Sequence, residues 1–66
     1  MTLTQKQLDR LKEIKRTISR RITQDTATIQ VFNMLVRACS EANIPLTDED
    51  IDWLHMICQD IFREAL

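Results

Sequence analysis

The chain has 66 residues, 44% of them apolar and 29% charged, with no glycine, one proline, three aromatics and a formal net charge of −1. A chain this short buries only about 60% of the surface it exposes when unfolded, so 1–66 forms one domain at most, and a lone copy is marginally stable. Phosphate-cradling loops, dinucleotide fingerprints and type I′ hairpins need backbone at positive φ that glycine supplies. The longest apolar runs, such as Met34-Leu35-Val36, fall far short of the about 20 residues that cross a bilayer.

The N-terminal segment leads into a charged amphipathic stretch, not the apolar core of a secretion signal, so a cytoplasmic location is expected. Leu3-Thr4-Gln5-Lys6-Gln7-Leu8 predicts a helix start. Thr4 caps, Gln7 reaches back to the cap amide, and Leu3 staples to Leu8. Leu8, Leu11, Ile14, Ile18 and Ile22 then make one apolar stripe, which predicts helix 1 over about 4–22.

The junction Thr23 to Thr28 offers Asp25 or Thr23 as an N-cap, but nothing in it forbids a continuous helix. A heptad-like run through Leu11, Ile18, Ile22, Ile29 and Phe32 leaves a long bent helix as the alternative to two separate ones. Helix 2 is expected over about 25–42, with one stripe of Ile29, Phe32, Val36 and Cys39 and another of Val31, Leu35, Ala38 and Ala42. Two stripes mean burial on two sides, which makes this the central helix. Asn43 suits the left-handed position after its end, Ile44 covers the last turn, and Pro45 cannot continue it.

Leu46-Thr47-Asp48-Glu49-Asp50-Ile51 repeats the capping device, with Thr47 as cap, Asp50 in the box position and Leu46 stapled to Ile51; helix 3 follows over about 47–65. The matching starts at residues 3–11 and 46–54 are read as shared capping chemistry, not a duplication. The short turn forces helices 2 and 3 antiparallel, which pairs Cys39 with Ile51, Val36 with Leu54, Phe32 with Cys58 and Ile29 with Ile61. The fold class is therefore all-α, a small three-helix unit. Cys39 and Cys58 lie too far apart along this hairpin for a disulfide and read as buried small hydrophobes, with a symmetric intermolecular bridge as the other option.

Charge is polarised. Residues 1–24 carry seven cations and two acids, whereas residues 25–66 carry two cations and eight acids. On helix 1, Lys12, Arg16 and Arg20 follow at i, i+4 opposite the apolar stripe, with Arg21 adjacent, and like charges so spaced repel by a few tenths of a kcal/mol per pair. Such a face is a solvated or internally compensated surface, or a contact for an acidic protein, or a contact for nucleic acid. Nucleic acid is the weaker of the two partner readings, because no aromatic lies among the cations and the domain is not basic. A helix-turn-helix built from helices 2 and 3 would lead into the groove with Asp48, Glu49, Asp50 and Asp52. A membrane-surface role lacks aromatic anchors on helix 1.

Asp52, His55 and Cys58 share a face of helix 3, but one helix cannot surround a tetrahedral metal, and no second ligand cluster or oxyanion donor completes a site. No enzyme, metal or cofactor is expected. Residues 27–66 hold 22 apolar positions against seven in residues 1–26. After facing helix 2, helix 3 must still place Trp53, Met56, Ile57, Phe62 and Leu66. That surplus predicts a homodimer with Trp53, Ile57 and Phe62 at the contact. The expected function is a non-enzymatic, dimeric adaptor or regulator that binds a partner through Lys12, Arg16, Arg20 and Arg21. The alternative is a nucleic-acid-binding regulator using the same helix.

Overall fold

In the computed structural model, which describes residues 3–65, the first helix starts with the predicted chemistry. Thr4 caps α1 (Gln5–Ser19) through a reciprocal box: the Gln7 N–H donates to Thr4 Oγ1 (3.1 Å) and the Thr4 N–H to Gln7 Oε1 (2.9 Å). Leu3 packs against the core, but Leu8 remains 39% exposed, so the staple is open on its helical side. The helix ends at Ser19, three residues before the predicted 22. Its last turn tightens, with the Arg21 N–H on the Ile18 carbonyl (2.9 Å) and Ser19 Oγ donating to the Lys15 carbonyl (2.8 Å).

The junction is a turn, which leaves α1 and α2 as separate helices. Thr23 and Thr26 close it on each other: the Thr23 N–H donates to Thr26 Oγ1 (2.9 Å), and the Thr26 N–H to the Thr23 carbonyl (3.1 Å). The Thr23 and Thr26 hydroxyls also meet (3.3 Å), and the turn carries the chain past both Thr23 and Asp25 before the next helix begins, so neither caps it. α2 (Thr28–Glu41) instead starts behind Ala27, whose N–H donates to Gln30 Oε1 (2.8 Å), later than the predicted 25. Its end follows the sequence. Asn43 takes φ 58°, the Ile44 N–H donates to the Cys39 carbonyl (2.9 Å) and the Asn43 N–H to the Ser40 carbonyl (3.2 Å), the bonding of a Schellman motif. Ile44 is buried over it. Alanine at 43 would have to hold the left-handed conformation without asparagine's tolerance for it. Asn43→Ala is therefore expected to lower stability by about 1 kcal/mol and Asn43→Gly to keep or raise it, read from urea midpoints.

Thr47 and Asp50 form one half of the expected box, with the Thr47 N–H (2.8 Å) and Oγ1 (3.2 Å) both on buried Asp50 Oδ2, while the Asp50 N–H donates to the Thr47 carbonyl (2.9 Å) instead of to its hydroxyl. The first turn, Asp48–Asp50, is 3-10, and α3 proper is Ile51–Ala65. Leu66 lies outside the described residues.

All three helices pack on one another around Leu11, Ile14 and Ile18 of α1, Val31, Leu35 and Cys39 of α2, and Leu54, Ile57, Cys58 and Ile61 of α3. Two of the predicted facing pairs fail: Ile29 is 63% and Ile51 44% exposed, although Ile61 is fully buried. The reason is the third helix. α2 must bury toward α1 and α3 at once, so the line between its two stripes, Val31-Leu35-Cys39, points inward. Phe32 and Val36 become one half-buried flank, Met34 and Ala38 the other. Cys39 and Cys58 are free thiols, fully buried. Among the described residues no helix is long and apolar enough to cross a membrane.

Candidate functional site

The apolar stripe of α1 turns Leu11, Ile14 and Ile18 into the core, which leaves Lys12, Arg16 and Arg20 facing solvent on consecutive turns. Arg20 is the C-cap residue, and Arg21 lies in the turn beyond it. The negative end of α1 offsets part of the repulsion at Arg16, Arg20 and Arg21, an effect that fades within a turn of the end and does not reach Lys12.

Acids of the same chain compensate two other cations. Arg10 Nη1 pairs with Glu13 (2.9 Å), and Lys15 Nζ approaches Asp60 of α3 (3.9 Å), the one bridge from α1 to α3 among the described residues. Lys12, Arg16, Arg20 and Arg21 have no carboxylate within 4.0 Å among those residues. The acids at the start of α3 do not reach them: Asp48, Glu49 and Asp52 are exposed, and Asp50 is held by Thr47.

The four cations do not form one surface. Arg21 lines the groove between α1 and α2 together with Arg10, Glu13, Met34, Arg37 and Glu41. Helical spacing turns Lys12 and Arg16 away from that groove, with Arg20 on its outer edge about 100° around the axis from Arg21. What reads as a cluster along the chain is a three-residue stripe plus one arginine in a mixed-charge groove.

The residues expected at a dimer contact also separate. Ile57 is only 6% exposed and belongs to the chain's own core, so it cannot serve a second copy. Its burial follows from the third helix, since α3 turns the Leu54-Ile57-Cys58-Ile61 face toward both neighbours. Trp53 and Phe62 are half-buried on opposite flanks of α3. Trp53 shares the α1 side with Asp60, two turns along. Phe62 shares the α2 side with His55, whose ring stacks on Phe32 at 5.1 Å between centroids.

That stack also defines the Asp52-His55-Cys58 face. His55 is exposed and lies against an aromatic ring, while Cys58 is fully buried. Burial pushes both thiols above their ordinary value, which disfavours the thiolate that a nucleophile or metal ligand requires. Among the described residues no three His, Cys, Asp or Glu side chains converge as metal ligands would. The aromatic stack could not have been singled out from spacing, since it depends on how far each helix is rotated.

Comparison with protein-family models, with curated proteins and with solved structures finds no match to this chain. The fold defines a three-helix, all-α unit, and its surface carries the argument about function.

Proposed function

We propose that this chain is a non-enzymatic helical interaction module that acts as a dimer and binds an acidic partner protein through Lys12, Arg16 and Arg20 of α1, with Arg21, in the groove against α2, outside that contact. The observation that carries this reading is the lack of any carboxylate within 4.0 Å of these cations, among the described residues, in a molecule whose acids outnumber its cations. Like charges on consecutive turns cost a few tenths of a kcal/mol per pair, and an anionic partner would convert that repulsion into attraction and faster encounter.

The size and setting of the stripe favour protein over nucleic acid. Three cations in line with Asp9 and Glu13 on adjoining positions offer few phosphate contacts, and the acidic first turn of α3 opposes a polyanion. The test is anisotropy titration of the chain with a labelled glutamate-rich peptide and, separately, with a labelled DNA duplex, at about 50 mM salt and again at about 200 mM. Binding of the peptide is expected, weakened roughly tenfold or more by the double reversal Arg16→Glu/Arg20→Glu. Preferential binding of the duplex with a steep salt dependence would transfer the stripe to nucleic acid, and indifference of peptide binding to the double reversal would remove it as a contact surface.

A further inference from the structure

We propose that the seam between α2 and α3 is where a second copy of this chain docks, around a two-fold axis that runs along the helices. This rests on the reading of the chain as a dimeric module and assigns its interface. On α2, Ile29, Phe32 and Val36 recur at helical spacing, and on α3 so do Ile51, His55 and Phe62. The Phe32–His55 stack brings the two rows together. Ile29 and Ile51 are 63% and 44% exposed, His55 is exposed, and the other three are half-buried. The positions beside them, Asn33, Ser40 and Gln59, are polar but uncharged. A strip free of Asp, Glu, Lys and Arg along two helices of a chain that is 29% charged matches the depletion of charge at the centre of protein interfaces.

A second copy is the occupant that the rim of the strip fits. The chosen axis lays α2 of one copy over α3 of the other, with each contact made twice. The stack sets the register: five residues from Phe32 toward the end of α2, Arg37 comes level with Asp50 and half a turn from Asp52, an exposed acid on the outer edge of α3. Each half of the two-fold thus sets a cation on the edge of one copy against an acid on the edge of the other. The present partner of Arg37 is a solvent-exposed neighbour on its own helix, Glu41 (3.7 Å), which is weakly held and free to be shared. Area is sufficient as well. A standard interface takes about 800 Å² from each copy, roughly one sixth of this chain's 4978 Å², and the seam is one of three sides of the bundle.

The experiment is sedimentation equilibrium of the full chain from roughly 1 µM to 1 mM, the range in which such contacts dissociate. A monomer–dimer equilibrium is expected. Ile29→Asp places an acid in the first turn of α2, where the helix dipole favours it, at an exposed position; circular dichroism should show an unchanged fold. Its dissociation constant should rise about a hundredfold, tenfold for each of the two symmetric sites. Arg37→Asp and Asp52→Arg should each weaken the dimer severalfold, and the two together should restore it. A chain that stays monomeric throughout would overturn the seam, yet leave the basic stripe standing if the monomer still binds the acidic peptide. A dimer indifferent to Ile29→Asp and broken by Met56→Asp would keep the dimer and move its contact to the α1–α3 side. A charge swap without rescue would overturn the two-fold arrangement.

Discussion

Ile61→Ala is expected to destabilise the chain by about 3 kcal/mol, whereas Ile29→Ala, in solution dilute enough to keep the chain monomeric, should change stability by under about 0.5 kcal/mol. Ile61 is fully buried and Ile29 is 63% exposed, so the first substitution opens a cavity among Leu54, Cys58 and their neighbours, and the second removes a side chain that water already covers. Alanine also has the higher helix propensity, which offsets part of the small loss at 29. The scale of the first effect matters because a 66-residue domain holds only about 3–10 kcal/mol in total. A melting temperature lower by about 15–20 °C is expected for Ile61→Ala, and circular dichroism melts of the two variants side by side check it. Equal losses at the two positions would mean that Ile29 and Ile61 face each other, as the antiparallel pairing of the two helices alone suggests.

Both thiols should resist modification in the folded chain. Cys39 and Cys58 are fully buried, so a thiol reagent reaches them only when the structure opens. If opening requires about 4 kcal/mol, the rate falls about a thousandfold below that of the unfolded chain. Mass spectrometry during native-state labelling measures this, and both cysteines should label together, since they belong to one core. The same burial makes stability depend on alkaline pH. The folded-state pKa of each thiol is raised by desolvation, so the native chain holds these two protons more tightly than the unfolded one. The sign follows: their contribution is fully present below the unfolded value near 9.0 and is lost as pH rises through the folded values. Urea midpoints should fall above about pH 9, and the double variant Cys39→Ala/Cys58→Ala should lack that cysteine-dependent fall, although its overall stability is lower.

Much of the fold was legible because it is local. The Thr4–Gln7 box, the Thr47–Asp50 bonds and the left-handed Asn43 each involve residues three to five apart, so composition and order suffice to specify them. The early end of α1 and late start of α2 were less legible. Thr23 and Thr26 can cap a helix or bond each other, and sequence does not rank two local uses of the same hydroxyl. The candidate site was legible as residue types and missed as geometry: Lys12, Arg16 and Arg20 do line up, but Arg21 falls in the groove against α2.

The amino-acid sequence by itself determined the helical class, the starts of the first and last helices, the sharp turn at Asn43 and the polarity of charge along the chain. These depend on interactions within about one helical turn, or on a count of residues. Rotation of each helix about its own axis was decided only in three dimensions. It made Val31, Leu35 and Cys39 the inward line of α2, drew Ile57 into the core, parted Trp53 from Phe62, and left Ile29 and Ile51 outside. The physical reason is that a helix with apolar residues on two flanks has no preferred inward side until two neighbours compete to cover it, and the compromise line between them minimises the apolar surface left to water.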